Sequence, residues 1–518
     1  MKRICEKYSE VKCMKFGFLF GAGAEVRYGL PSGSKFALDV FRYDNTSSKD
    51  EFRDRRDGVN PTTSYAQDWL PDNYKKKSIS AFGKRVFQNI IQDTVEHNRK
   101  NIVSRINDFD LLAKKQAKNA AEYGIEVDKE IQSCLGRNVS NIGLGQKIKY
   151  IDEFKNGNGL FSSHYFSAFL LIYKKKAAWK SEEKRKEFGK MLLSIMQLHL
   201  GALSEDLTKR INEGAFEQKD DEIDLFDDLG DIIQLNYSEA GLIGLEYLLD
   251  MQEPNLDSFE GKIIKFLQII IEEIYASVLD YKSLIDSNWH YLYNPKYEWA
   301  KFTKICIFLM TVRNYIRSKS KDRSDNPNGY YEVLKEAIDN GLFEVTEIAT
   351  TNYNTFIESI LKTDVTYLNG STDLWYDPYI NKIGKETDLL DDDSHIIIPL
   401  LFTQSGTKPM TAIKMSEQYV NTYRRWKAAD SLVVVGFGFG ADDEHINSII
   451  RTLVDDDNKK MIVITRYDKI KTEDEKAEDI IRKLKVKNNE NIHVIYVNDD
   501  GRNTTTKRIW TECLKDLC

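Results

Sequence analysis

The sequence predicts an α/β fold: a doubly wound parallel sheet interrupted by a large, mostly helical insertion. Three observations carry that prediction. FGFLF at 16–20 is a short apolar run closed by Gly21, the pattern of a strand buried on both faces. From about 343 onward, short apolar runs alternate with amphipathic helical stretches, the texture of repeated β-α-β units. Between the two lie roughly 300 residues dominated by helical spacing. A lone strand cannot bury both its faces, so the first one is expected to join the sheet formed by the C-terminal part. The expected division is 1–42 with 343–518 as one α/β domain, and 43–342 as the insertion.

In chain order, the first strand runs into a glycine turn, and SGSKFALDVFR at 32–42 follows as a helix with serine at its start. DGVNPTTS at 57–64 marks a loop. Apolar residues at helical spacing recur at 77–112, 182–203, 260–281 and 297–318. Past 343, FEVTEIATTNYN gives a strand ending at Thr350 and Thr351, and NTFIESIL a short helix. DVTYLNGS at 364–371 and HIIIPLLF at 395–402 read as further strands. A helix at 415–430 leads to SLVVVGFGFG, a buried strand running into glycines. A helix at 442–456, a strand at 460–467, a helix at 473–487 and a strand at 491–499 complete the pattern, before a C-terminal helix.

Composition narrows the function. With 518 residues the chain has room for about two to four domains, and 41% hydrophobic residues suffice for sizeable cores. A formal net charge of −7 gives no electrostatic case for nucleic acid as a direct partner. The six cysteines are scattered without a C-x-x-C pair, so no zinc ribbon is encoded, and a reducing cytoplasm is the expected compartment. The longest apolar runs, KICIFLMTV and IIKFLQIII, fall far short of the roughly 20 residues that span a bilayer. Lys2 and Arg3 precede the first apolar run as in a secretory signal, but that run is too short and follows the polar EKYSEVK, so it is expected to be a buried strand. The acidic EQKDDEIDLFDDLGDIIQ at 217–234 reads as a solvated helix and loop. DLLDDDSH at 388–395 is too unspecific to be taken as a cation site.

Four short motifs carry polar chemistry. In GAGAE, Gly21 and Gly23 permit a tight turn after a strand, with backbone N–H groups expected to face a phosphate. The third glycine of the dinucleotide fingerprint is replaced by Val26, which argues against a hydride-transfer enzyme. In LVVVGFGFGADDEH, Gly436, Gly438 and Gly440 follow a second buried strand; Asp442 and Asp443 are placed either to bind ribose or to start the next helix. ATTNYNTFIE delivers Thr350, Thr351 and Asn352 to a strand end, where an amide orients a water or a ribose hydroxyl without carrying charge; Asn354 is expected as a helix N-cap. YLNGSTDLWY places Asn369, Gly370, Ser371 and nearby Asp373 past another strand end.

In this order, GAGAEVRYGLPSG, TTN at 350–352, LNGS at 368–371 and GFGFG at 436–440 resemble the motifs of the sirtuin family, over 1–42 and 343–518. The resemblance implies a sirtuin-like, Rossmann-type fold with NAD as substrate. Three departures separate the chain from protein deacylases. Asn369 stands where that family has its histidine base, Asn354 where it often has an aspartate, and the zinc cysteines are absent. The chain looks more like the zinc-free, sirtuin-like effectors of bacterial anti-phage defence, with TTNYNTFIE, QSGTKPMT and GFGFGADDEHIN contributing to the likeness.

That resemblance implies an NAD glycohydrolase (NADase) that releases nicotinamide and ADP-ribose and acts in abortive infection as a cell-suicide effector in the bacterial cytoplasm. It implies cofactor contacts at Gly21, Ala22, Gly23, Glu25, Pro31, Thr351, Asn352, Ser371, Gly436, Gly438 and Asp443, with no metal. Glu25 and Arg27 are expected on a flexible loop that closes over the ligand. Asn352 and Asn369 are the expected catalytic amides; the missing base is sought among His164, Asp373 and Glu25, with His164 the catalytic candidate. Cleavage passes through an oxocarbenium-like state and nicotinamide leaves readily, so holding the dinucleotide and aiming a water are the main demands. Implied partners are further copies of the chain (a homo-oligomer) or a second defence protein: an inosine-triphosphate pyrophosphatase-like protein, a HerA-type translocase or a short Argonaute. A non-catalytic NAD or ADP-ribose sensor subunit and an ADP-ribosyltransferase stay open as alternatives.

Overall fold

A computed structural model of the chain describes residues 14–31, 33–83, 95, 98–143, 159–203, 242–276, 288–390, 395–401, 412–467 and 471–517. Lys2, Arg3, Cys5, Cys13, Cys518, the acidic 217–234 stretch, QSGTKPMT and the middle of DLLDDDSH lie outside the described residues.

The chain runs from β1 (Lys15–Phe20) through α1 (Gly33–Arg42) and α2 (Thr46–Gly58). Then come α3 (Arg99–Asn107), α4 (Phe109–Glu122), α5 (Val127–Leu135), α6 (His164–Lys174), α7 (Glu182–Leu203), α8 (Leu242–Leu249) and α9 (Phe259–Ala276). After α10 (Trp299–Lys321) and α11 (Tyr330–Asp339) follow β2 (Glu344–Thr350), α12 (Phe356–Leu361), β3 (Thr366–Tyr367), β4 (Gly370–Asp377), β5 (Lys382–Gly384) and β6 (Ile398–Leu401). The last part is α13 (Ile413–Lys427), β7 (Ser431–Val435), α14 (Glu444–Asp455), β8 (Lys460–Arg466), α15 (Glu473–Leu484), β9 (Ile492–Val497) and the single turn α16 (Trp510–Cys513). Among the described residues no helix is long and apolar enough to cross a membrane.

Two compact units result, one of Met1–Gly33, Tyr43–Phe82 and Lys282–Cys518, the other of Ser34–Arg42 and Gly83–Tyr281. Their borders differ from those read off the texture of the sequence at 42 and 343. The sheet-bearing unit also takes in 43–82 and 282–342, because α2 and α10 pack together there through Phe52, Trp299 and Phe302.

In the sheet-bearing unit six strands form one sheet in the order β3-β2-β1-β7-β8-β9, and every neighbouring pair is parallel. Counted along the chain, these strands stand 3-2-1-4-5-6, the order of a doubly wound α/β sheet, with the winding reversing between β1 and β7. β1 pairs with strands more than 300 residues away: Phe20 stands opposite Thr350 on one side and Val435 on the other. Its alternate residues Phe16, Phe18 and Phe20 enter one core with Tyr331, Phe343 and Trp510. The opposite face is fitted to α13: a Cβ on Gly17 would lie 2.4 Å from the Trp426 ring, so glycine is what lets that helix sit close.

The strand expected at 395–402 exists as β6, but outside the parallel sheet. It pairs antiparallel with β4, which pairs antiparallel with β5, in a separate sheet of order β5-β4-β6. Only Pro378–Asn381 join β4 to β5, too few residues for the crossover that parallel neighbours need.

In the helical unit α3, α4, α6, α7 and α9 share an apolar interior that includes Ile106, Phe109, Phe166, Phe169, Phe188 and Phe266. Asp110 of α4 accepts from the His164 and Tyr165 N–H groups and from Ser163 Oγ, which caps α6 by accepting from the Phe166 N–H.

Candidate functional site at the reversal of the sheet

The C-terminal ends of β1 and β7 meet where the sheet reverses, and each runs straight into a glycine turn. The Gly21 N–H donates to Val435 O at 2.9 Å and the Gly23 N–H to Gly436 O at 2.8 Å, so the turns touch backbone to backbone. Gly436 has φ +67°, and a Cβ there would lie 2.1 Å from the Ala24 nitrogen; one on Gly21 would lie 2.7 Å from Phe437 Cα. These glycines therefore exist for the approach of one turn to the other. The N–H groups of Gly21, Gly23, Ala24 and Glu25 all donate to carbonyls of the protein, which corrects the expectation that they point at a phosphate. Ala22, Gly23 and Gly438 remain exposed on the rim, and a Cβ on Gly438 would meet nothing within 4 Å.

The end of β2 lies alongside. The Thr351 N–H donates to Phe20 O at 2.9 Å, and Thr350 Oγ1 accepts from the Asn352 N–H at 3.0 Å. Asn352 Nδ2 donates to Gly21 O at 3.1 Å and also faces the Glu25 carboxyl and the Tyr331 hydroxyl. One amide is thus held against the first glycine turn. The next segment follows β2 closely: the Leu368 N–H donates to Thr350 O and the Thr372 N–H to Tyr353 O, which brings Asn369, Gly370 and Ser371 to the same edge. Ser371 is buried and its Oγ accepts from the Asp373 N–H at 3.3 Å.

Glu25 is not on a flap. It is buried behind the turn, where Tyr331 Oη donates to Oε1 at 2.9 Å and Asn354 Nδ2 donates to Oε2. Burial pushes its carboxyl up to about 7, against the hydrogen bonds from Tyr331, Asn354 and Asn352 that favour the charged form. Tyr331 stacks on Tyr28 at 5.2 Å, and Tyr28 Oη donates to Glu332 at 2.5 Å while accepting from the Tyr331 N–H. Arg27 is likewise anchored: its guanidinium lies over the Tyr330 ring at 4.4 Å and donates to Asn498 O. The closing loop expected around Glu25 and Arg27 is therefore corrected. Burial of Glu25 and stacking of Arg27 fix both side chains. Pro31 lies half-buried beyond Gly29, whose φ of +81° turns the chain toward α1. Asn354 caps no helix; Thr355 occupies the N-cap of α12, and the Asn354 amide serves Glu25 instead.

From the other side, Asp443 precedes α14, is buried, and donates its N–H to Gly440 O, but its side chain makes no cap hydrogen bond. Two residues later His445 brings its Nε2 to 3.3 Å from Asn369 Oδ1. Burial pulls this imidazole down to about 4, so the ring is neutral near pH 7.

The other base candidates have different surroundings. His164 is in the helical unit, with Nδ1 at 2.6 Å from Ile142 O and its N–H on Asp110, so its described partners are all in that unit. Asp373 is exposed and accepts from Thr355 Oγ1 at 3.1 Å. His445 and Tyr331 escaped the sequence reading. His445 stands in GADDEHIN, behind two aspartates whose local pattern is that of a helix start or a ribose contact. Tyr331 is 306 residues from Glu25, and no local pattern announces the contact. Among the described residues no group of three or more His, Cys, Asp or Glu is placed to hold a metal ion. No protein-family model matches this chain, and no curated protein matches it, so what places it is its own geometry: a parallel α/β sheet with two glycine turns and a polar cluster at its reversal point.

Proposed function

We propose that this sheet edge binds NAD and hydrolyses the bond between nicotinamide and ribose. One observation carries the reading: the two glycine turns meet at the point where the sheet reverses, with Asn352 held against them and Glu25 buried behind. In an open sheet of this strand order, dinucleotides lie across that point. The ordered likeness of the four motifs to the sirtuin family supports the same ligand.

In this reading the exposed rim at Ala22, Gly23 and Gly438 lies along the pyrophosphate and the adenosine side. Asn352 has its amide nitrogen turned to protein acceptors, so its Oδ1 is the atom that receives a ribose hydroxyl or the attacking water. Glu25 positions Asn352 and Asn354 and does not touch the ligand. Activation by assembly or by a second defence protein belongs to the same proposal, as does action as a cell-suicide effector in the bacterial cytoplasm.

The test is chromatography of NAD and its products with the full chain, alone and with the proteins encoded beside it. Nicotinamide and ADP-ribose should appear together, and Asn352→Ala should lower their release at least 100-fold while the variant stays folded. ADP-ribose bound tightly with no nicotinamide released in either setting would replace the hydrolase by a sensor.

A further inference from the structure

The amide of Asn369 cannot take up a proton, yet it sits at the meeting of β3 and the β7 turn, with an imidazole at hydrogen-bonding distance. We infer that His445 is the proton acceptor of this site, its ring oriented by Asn369, an inference that rests on the hydrolase reading above.

Three observations converge on it. First, Asn369 Oδ1 can only accept, so a hydrogen bond to it puts the hydrogen of the neutral ring on Nε2 and the lone pair on Nδ1. Second, Nδ1 is buried and has no hydrogen-bond partner among the described residues. A buried acceptor left without a donor is uncommon, and at a ligand site the missing donor is the ligand or its water. Third, the ring is gripped. Tyr419 of α13 meets it edge-on at 5.7 Å and 89°, and the Tyr419 hydroxyl itself donates to Leu368 O at 2.5 Å, next to Asn369. Helix α13 thereby ties the imidazole and the amide to one frame.

Burial keeps the ring neutral among its charged neighbours. Asp443 lies just before it on the chain, and Glu444 is paired with Arg451 at 2.7 Å on the same helix. From α15, Lys483 donates to Gly438 O. From α13 the facing titratable group is Tyr419, which burial keeps protonated.

In the reaction, the water oxygen forms its bond to ribose C1′. The bond from C1′ to the pyridinium nitrogen breaks, and its electron pair leaves with neutral nicotinamide. The proton shed by the water passes to Nδ1 of His445, which becomes an imidazolium and later returns the proton to solvent. Because the oxocarbenium-like centre is strongly electrophilic, a weak base suffices, which suits an imidazole whose affinity for protons is low.

The test uses the full chain, with melting curves to certify each variant. His445→Gln should lower kcat for NAD cleavage about 100-fold or more and leave ADP-ribose affinity within about threefold. Asn369→Asp places a carboxylate against Nε2 and should move the acid limb of the kcat–pH profile upward by about one to two pH units, a change that a merely structural Asn369 would not produce. If His445→Gln keeps more than a third of wild-type kcat while Asn352→Ala has lost activity, hydrolysis stands and the assignment of His445 falls. If the wild type releases no nicotinamide either alone or with the proteins encoded beside it, hydrolysis falls, and imidazole nitrogen resonances decide the rest. A shift of the Nδ1 signal on adding ADP-ribose upholds a ligand-facing Nδ1; an unchanged signal overturns it. The same resonances judge the assignment should His445→Gln fail to fold.

Discussion

Burial acts in opposite directions on the two titratable side chains that flank the site. Glu25 holds its proton up to about pH 7 in the folded protein but ionises near 4.5 when unfolded, so its contribution to stability is full below 4.5 and is lost as pH rises through about 7. At about 1.4 kcal/mol per pH unit, the loss is on the order of 3 kcal/mol. Glu25→Gln removes that slope, and urea unfolding should show the variant gaining on the wild type between pH 5 and 8. His445 has the reverse sign: its imidazole resists protonation when folded, so stability falls as pH drops from 6.5 through about 4. His445→Gln should flatten the acid side of the same curve. The amides of this cluster were legible in the sequence because TTN and LNGS follow apolar runs. Of its titratable residues, Glu25 was legible as a candidate but was expected on a closing loop, and His445 and Tyr331 were not. Glu25 reads locally as part of a turn, and its burial depends on distant partners such as Tyr331 and Asn354, 306 and 329 residues away.

At the level of elements, the glycine turns act through contact with each other. Gly436→Ala meets both a positive φ and the Ala24 nitrogen, and should cost at least about 2 kcal/mol in urea unfolding. Gly438→Ala enters open space and should stay within about 0.5 kcal/mol of wild type. The two alanine variants thus separate glycines that shape the turn from one that merely lies on it. Sequence texture was informative here. The period of apolar residues identified β1, β2, β7, β8 and β9 and the helices between them, since parallel strands buried on both faces leave continuous apolar runs. It failed at β4, whose GSTDLWYD is mixed in character because it belongs to a small antiparallel sheet closed by a hairpin.

For the molecule as a whole, the passage from Gly33 to Ser34 crosses between the two compact units. Helix α1 follows the first glycine turn directly, yet Arg42 at its end bonds within the helical unit, donating to Leu248 O at 2.7 Å and to Glu272 at 2.8 Å. Arg42→Ala should release α1 by about 1–2 kcal/mol, seen as faster amide exchange along α1 with β7 and β8 unchanged. No property of the sequence near 33 marks that crossing, because α1 reads as an ordinary amphipathic helix whichever unit it packs against.

The central place of β1 also sets a timetable for the newborn chain. The Lys15 N–H bonds to Asp430, 415 residues later, and both strands that flank β1 lie beyond residue 343. At about 5–20 residues per second, the ribosome needs on the order of 20–80 seconds to deliver the second of those neighbours. Until β2 emerges, FGFLF has neither of its partner strands, and until β7 emerges one of its edges stays open. The order of the sheet thus makes the first strand synthesised one of the last to be fully paired.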